Sequence, residues 1–308
     1  MKFLVTGGAG FIGFPIVRAL LDAGHQVVVL DKVYEVLQEL KAHPALRMIR
    51  ADIEDVQAVR EAMKNVDVVY HCAWSFAAKP SEAFRIDGGG LINVLDAAVE
   101  NKVKQFLFAS SSVVYGEPTY MPIDEQHPRL VEKSRDPLHA ITKLVAEKLS
   151  ELYYRQYELP FTIFILWWAY SDERIPGRTL RGLVDTALRG ELLQVPEKAG
   201  GSVVYTGDVA EAFRLATLNE KAYGEVFNLA SFYISWEELI SLIVKLSGSK
   251  SKMEYVTPEK WAGPGFLTGQ WDLNTQKVKQ LLGYKPCEEA KRIFEESLAK
   301  VIATQRKS

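Results

Sequence analysis

Four glycines, Gly7, Gly8, Gly10 and Gly13, follow directly on the apolar run Phe3-Leu4-Val5 and run into a helical pattern through Phe11, Ile12, Ile16, Val17, Leu20 and Leu21. The run reads as a short buried parallel strand. A strand that feeds a glycine turn opening a helix can hold phosphate: glycine lets the backbone approach an anion, and the helix start offers N–H groups and a positive dipole end. Gly7, Gly10, Phe11, Ile12 and Gly13 are therefore expected against a pyrophosphate. A second apolar stretch, residues 26–30, ends in Asp31, ~20 residues beyond the glycines, where an acid takes the hydroxyls of an adenosine ribose. A purely structural turn needs neither the spaced glycines nor that acid. The series predicts a bound dinucleotide. Asp31 favours NAD over NADP, because its charge accepts from the 2′- and 3′-hydroxyls and repels a 2′-phosphate. Lys32 beside it offsets part of that repulsion, or stands in solvent at a strand end.

The elements that must position these residues alternate. After the second strand come a helix at 34–41, a strand at 46–49, a helix at 56–63 and a strand at 66–70. A helix at 81–100, a strand at 105–109, a long amphipathic helix at 138–154 and a strand at 161–166 follow. Such alternation with short connections predicts an α/β fold, a Rossmann-type doubly wound parallel sheet with ligands at the carboxyl ends of its strands. From residue 167 the pattern is mixed. It has helices at 179–189, 209–218 and 236–246, short strands near 193, at 203–205 and at 225–229, and C-terminal helices near 275–282 and 288–304. This division, 1–166 for the dinucleotide and 167–308 as a smaller mixed α/β lid for the substrate, is expected to have interleaved elements. There is no repeat and no low-complexity linker, so the lid packs on the sheet.

Composition narrows the partners. The 308 residues carry 37 Lys and Arg against 39 Asp and Glu, a net charge of −2, without a long basic run. Neither nucleic acid nor an anionic membrane is indicated, and a small-molecule substrate is. Cys72 and Cys287 lie far apart without metal-ligand spacing, which fits a reducing compartment and no metal. The chain enters its first strand at once, leaving no room for a signal peptide, and no apolar run reaches transmembrane length. A cytoplasmic protein is expected.

Several segments together resemble the extended short-chain dehydrogenases/reductases, the NAD-dependent epimerase/dehydratase family that includes UDP-glucose 4-epimerase. TGGAGFIG (6–13) matches its phosphate loop, and Asp52-Ile53 its acid–apolar pair against adenine. DVVYHCAW (67–74) matches the strand that passes the cofactor, placing Cys72, Ala73 and Trp74 beside it. INVLDAA (92–98), FLFASSSVVYG (106–116), GEVFNLAS (224–231) and LLGYKP (281–286) match later landmarks. The family's chemistry rests on a serine or threonine, a tyrosine and a lysine. The resemblance places the hydroxyl at Ser111, four residues before the tyrosine of VYG, with Ser110 and Ser112 as backbone-satisfying neighbours. The lysine is Lys143, which would hold the nicotinamide ribose. The tyrosine position is His139, one helical turn before Lys143 and on the same face. Imidazole beside an ammonium is biased towards neutrality, so a proton relay there would titrate at the low end of ~6–7.

The substrate side departs from the family. Its R-x-x-N-x-Y-G-P run is replaced by ILWWAYSDE, with Ile165, Trp168, Ser171 and Asp172 where Arg, Asn, Gly and Pro would stand. Gly201 and Gly263 occupy two positions at which the resemblance implies cations for a diphosphate. Without them a UDP-sugar is disfavoured. Trp74, Phe76, Trp167, Trp168 and Tyr170 fall in cleft-facing segments, and aromatic walls suit sugars or apolar carbonyl compounds. Trp236, Trp261 and Trp271 read as core. The Asp-Glu pair of the family's dehydratases is replaced by Ser112-Val113, so dehydration is disfavoured. The expected function is an NAD-dependent oxidoreductase or epimerase working through transient hydride transfer on a small sugar-like or apolar substrate. A nucleotide-sugar 4-epimerase and a turnover-poor NAD-binding sensor or scaffold are the alternatives. The resemblance also implies a homodimer, paired through helices 81–100 and 138–154.

Overall fold

The structure is a computed structural model and describes residues 1–261 and 268–307. Strands β1 (Lys2–Thr6), β2 (Gln26–Asp31), β3 (Leu46–Arg50), β4 (Val68–His71), β5 (Gln105–Ser111) and β6 (Phe161–Leu166) lie in one parallel sheet, in the order β3-β2-β1-β4-β5-β6. A later strand, Glu225–Asn228, pairs in parallel with β6 and closes the far edge. The inner strands are apolar at most positions because both faces are covered, whereas the edge strand β3, LRMIR, has no buried residue. Alternate residues serve opposite faces. Leu4, Val28, Leu30, Val69, Phe106 and Ile163 form one core with Val59, Leu95 and Ala146. Phe3, Val5, Val27, Val29, Val68 and Leu107 form the other with Ile16, Val17 and Phe213. Each fully buried Leu or Phe contributes about 1.5–3 kcal/mol.

The helices on these faces include α1 (Gly13–Asp22), α2 (Val56–Met63), α3 (Pro80–Ala83), α4 (Leu91–Glu100) and α5 (Pro137–Tyr157). β1 and β4 are neighbours, so the strand order reverses between them and their following loops part to opposite sides. That opens a crevice at the carboxyl ends, the place where such sheets bind ligands.

A second assembly sits over the crevice. β7 (Trp168–Tyr170) and strands Phe232–Ser235 and Gln270–Trp271 all pair with strand Gly200–Tyr205, while Leu193–Pro196 pairs with Met253–Val256. Helices Arg178–Leu188, Trp236–Ser247 and Ala290–Gln305 pack a third core through Leu180, Val184, Leu239, Ile240, Phe294 and Leu298. Ser235 and Glu238 close a reciprocal cap at the start of the middle helix, and Gly248 ends it in a left-handed conformation.

The structure departs from the pattern-based reading in three places. The helix expected over 81–100 is α3, a stretch of wide π-type turns at Phe84–Gly90, and α4. Gly88-Gly89-Gly90 carries no side chains to hold tight turns, and Asp87 is drawn inward to accept hydrogen bonds from Ser75 N and Oγ at 2.8 and 2.9 Å. The segment expected as a helix at 34–41 forms only 3₁₀ turns, Glu35–Leu40, in which Leu37 is buried and Tyr34 and Leu40 pack only partly against the core. Strands β7, Phe232–Ser235, Met253–Val256 and Gln270–Trp271 carry no strong local signal, being only two to four residues long.

Candidate active site

A cleft of about 890 Å³ lies at the carboxyl ends of β1, β2, β4, β5 and β6. Its floor is the glycine loop. Gly7 has φ +68°, and a Cβ there would stand 2.5 Å from Ala73 N, so the crossing of the loops after β1 and β4 admits no side chain. A Cβ on Gly13 would strike Gly7 O. Gly10 N donates to Gly7 O at 2.9 Å and Phe14 N to Gly10 O at 3.0 Å, closing the turn. Helix α1 begins after Ile12 without a side-chain cap, which leaves its first N–H groups for a ligand. Gly7, Gly10, Phe11 and Ile12 line the cleft, while Gly13 lies beneath them as the helix's first residue.

Asp31, at the end of β2, also lines the cleft. Its carboxylate does work that spacing does not reveal: Oδ2 accepts from Ala9 N at 2.9 Å and Oδ1 from Val33 N at 3.0 Å. It thus ties the glycine loop to β2. A carboxylate has about four acceptor positions, so two bonds leave capacity for ribose hydroxyls. Lys32 lines the cleft and is ion-paired there; its Nζ is 3.0 Å from Asp52 Oδ2. Ile53 packs under Gly90, where a Cβ would meet Ile53 Cγ1 at 2.5 Å. A cradle that any side chain would fill, an uncapped helix start and a carboxylate at the next strand end fit a dinucleotide. We expect Asp31→Ala to weaken NAD several-fold, NADP less, and so to erode the preference between them; calorimetric titration with each measures it. An unchanged preference would mean that Asp31 only braces the loop.

The reactive end is built by β5 and α5. Ser111 is the last residue of β5, and its Oγ accepts from Val113 N at 3.5 Å. Helix α5 starts where Asp136-Pro137 dictates: Asp136 Oδ1 accepts from His139 N at 3.1 Å and Pro137 takes the first helical position. Lys143, one turn on, is buried. Its Nζ donates to Ala109 O at 2.7 Å and lies 3.7 Å from the centre of the Trp74 ring and 4.6 Å from that of Phe108. Burial pushes the ammonium down to about 7, against the pull of Asp87, Cys72 and Glu147. The His139 ring stands edge-on to Phe76 at 5.1 Å and 6.3 Å from Trp74. Burial first, and then the Lys143 ammonium, push the imidazole down to about 4, well below the ~6–7 expected from the neighbouring charge alone. His139 Nε2 is buried with no hydrogen-bond partner among the described residues, and no direct bond joins it to Ser111.

Cys72, Ala73, Trp74, Phe76, Trp167 and Trp168 also line the cleft. Burial pushes the Cys72 thiol up to about 12, which removes it as a nucleophile. Phe76 is 72% exposed and covers His139 from the solvent side. Tyr170 does not face the cleft, contrary to expectation; it is buried in the lid, its hydroxyl donating to Ala290 O at 2.6 Å. Ile165 is wholly buried in the sheet core, and Ser171 is spent on Glu173 N and Arg174 N. Gly201 is pressed against the Trp167 ring, which lies 2.5 Å from where its Cβ would be, measured to Cη2. Gly263 lies outside the described residues. Trp236 and Trp271 are core; Trp261 is partly buried against the lid core. Ser110 bonds a side chain, not backbone: its Oγ donates to Glu147 Oε1 at 2.6 Å, and Glu147 faces Arg129 at 3.4 Å.

The pattern-based reading missed Asp87, Arg135 and Arg174. Asp87 is 1% exposed, and burial raises its carboxyl. An acid inside the apolar helical run FRIDGGGLIN was the available signal. Arg135 and Arg174 reach the cleft from loops whose path no local pattern shows.

A parallel sheet with its switch point over a glycine cradle, and a Ser–Lys pair at the far end of the same cleft, defines a dinucleotide-dependent enzyme of the doubly wound class. The sequence model described as the NAD dependent epimerase/dehydratase family matches residues 3–230. The chain belongs to that family, and NAD is its cofactor. It is 30% identical over 272 residues to a putative UDP-glucose 4-epimerase of Methanocaldococcus jannaschii, covering 83% of this chain and 86% of that one. It is 33% identical to a UDP-N-acetyl-alpha-D-glucosaminuronate decarboxylase of Bacillus cytotoxicus, over 86% of each chain. Among solved structures, the UDP-glucose 4-epimerase of Thermotoga maritima superposes with a TM-score of 0.78 at 25% identity, over 100% of this chain and 99% of that one.

Proposed function

We propose that this enzyme acts on a hydroxyl or carbonyl of a small sugar-like or apolar substrate that carries no nucleoside diphosphate. The observation that supports this reading most is the Trp167 ring lying on Gly201. An indole fills the space from which the family's diphosphate-gripping arginine would reach. Trp168 meets Trp167 at 90° with 5.9 Å between centroids, and its Nε1 donates to Pro176 O at 2.8 Å. The substrate end of the cleft is thus an aromatic wall, suited to sugar rings or apolar groups. The names of the relatives support the second reading, a nucleotide-sugar 4-epimerase. Calorimetry with UDP and UDP-glucose separates the two. No binding up to millimolar concentration, with NAD-linked turnover of simple sugars or alcohols, supports the first; micromolar UDP affinity overturns it in favour of the second. NAD binding with no turnover on any substrate would instead make the chain a sensor.

Bound NAD supplies a reversible hydride acceptor. Lys143 Nζ spends one N–H on Ala109 O and has two left for the ribose. Ser111 Oγ lies beside the reacting oxygen and polarises it. His139 is uncharged at neutral pH, so its free Nε2 takes the hydroxyl proton and, as a weak base, holds it only transiently. The substrate reaches Nε2 by displacing the exposed Phe76 ring.

The activity of the wild type should therefore fall on the acid side near pH 4, not near 6.5, as His139 takes up its proton. His139→Tyr should keep or raise activity and make it climb towards alkaline pH. An unchanged rate and pH profile in His139→Ala would show that the proton travels through water or another group.

Two coarser features complete the reading. Phe84, Ile92, Ile141 and Leu152 are exposed apolar side chains on the 80–100 segment and on α5, which pack side by side. This surplus favours a homodimer through these helices, with light scattering expected near twice the chain mass of 34.6 kDa. A monomer at micromolar concentration would refute it. No helix among the described residues is long and apolar enough to cross a membrane, and both cysteines are free thiols, which supports a cytoplasmic location.

A further inference from the structure

A second groove of about 920 Å³ runs behind the glycine loop, between α1 and helix Thr206–Ala216. It shares Ala9, Gly10, Phe11 and Arg174 with the cofactor cleft, so these four residues form the sill between the two. Two of the groove's cations are already paired, Arg18 with Glu39 and Arg214 with Glu211. Arg174 faces no carboxylate within salt-bridge distance among the described residues. Its guanidinium carbon stands 4.9 Å from the centre of the Phe11 ring, directly at the start of α1.

The loop that carries Arg174 is held in place from both sides. Ser171 N donates to Arg174 O at 2.9 Å, and Arg174 N donates back to Ser171 Oγ at 3.2 Å. From the C-terminal helix, Ser297 Oγ donates to Ser171 O at 2.6 Å, and Lys300 Nζ donates to Asp172 O at 2.8 Å and pairs with Glu173. The next residue, Ile175, is buried in the lid core. A rigid lid loop therefore delivers a planar cation to the one edge of the cradle where backbone N–H groups await an anion.

We infer that Arg174 is the lid's own ligand for the cofactor diphosphate, closing over Phe11 the side of the phosphate that the α1 N–H groups leave open. A guanidinium stacked on an aromatic face is oriented before the anion arrives, so little side-chain freedom is lost on binding. The lid then senses the cofactor directly: NAD couples the loop after β7 to the loop after β1, two segments that meet at this sill through the Arg174–Phe11 contact. The inference rests on NAD occupying the glycine loop.

Calorimetry with NAD, ADP and adenosine on the wild type, Arg174→Met and Arg174→Lys tests it. Arg174→Met should weaken NAD and ADP by roughly 10–100-fold, as expected for a lost charge-assisted hydrogen bond, and leave adenosine unchanged. Arg174→Lys should recover most of the loss, and the salt dependence of NAD binding should be shallower in Arg174→Met than in the wild type. Equal NAD affinity in wild type and Arg174→Met would overturn the inference. So would an equal loss for adenosine, which would place the effect in the fold. A wild-type protein that binds none of the three would overturn the cofactor reading itself, and the inference with it.

Discussion

Lys143→Met is expected to cut turnover by about 10²–10⁴-fold while the protein stays folded. It removes the group that would bind the ribose and that adds, after burial, to holding His139 neutral. The same substitution has a second signature, in stability. Burial holds the folded-state ammonium near 7, whereas an unfolded lysine titrates at about 10.4. Between these values the unfolded chain holds a proton that the folded chain lacks, so wild-type stability rises with pH across that window. Below about 7 both states are charged, and the full cost of burying the cation is present. Methionine is uncharged throughout. Lys143→Met should therefore melt above the wild type at pH 6 and lose that advantage as the pH approaches 10. The cation–π contact with Trp74, about 2 kcal/mol when desolvated, is smaller than the shift it opposes and does not reverse the sign. Parallel melting curves of the two proteins across that range would show that Lys143 is solvated in the free enzyme.

Gly13→Val should abolish measurable NAD binding and lower the melting temperature. The new side chain meets Gly7 O, and the loop cannot yield without releasing Gly7 from Ala73 or Asp31 from Ala9. Overpacking of this kind costs about 1–3 kcal/mol, and more where backbone is the obstacle. Gly182 is the control: it lies in helix Arg178–Leu188 with open space around it. Gly182→Ala should gain about 1 kcal/mol from helix propensity and leave NAD affinity unchanged. Measurements are calorimetric titration and thermal melts. Wild-type NAD affinity in Gly13→Val would mean that the pyrophosphate does not lie on this loop.

The amino-acid pattern alone was enough for the sheet, the cofactor loop and the helix that carries His139 and Lys143. Each rests on local rules: an apolar strand running into glycines, an acid at the end of the next strand, Asp136-Pro137 starting a helix, and a four-residue spacing that puts two side chains on one face. Those rules act over one or two turns of chain, so they can be read in order along it. The whole-chain resemblance then indicated which hydroxyl and which lysine to watch.

Tertiary structure decided the charges and the shape of the cleft. Spacing showed an ammonium near His139, but its burial beneath Phe76 is the larger influence on the ring, and burial depends on segments far apart in sequence. Gly201 as a letter showed only that no cation stands at that position. That the Trp167 ring lies on it is visible only in the structure. Asp87 turns inward because three glycines loosen the helix around it and Ser75 meets it from the loop after β4. Arg174 reaches the cofactor loop because the C-terminal helix pins its own loop from more than a hundred residues away. Desolvation and close approach are properties of what surrounds a residue in space, and no periodicity along the chain encodes them.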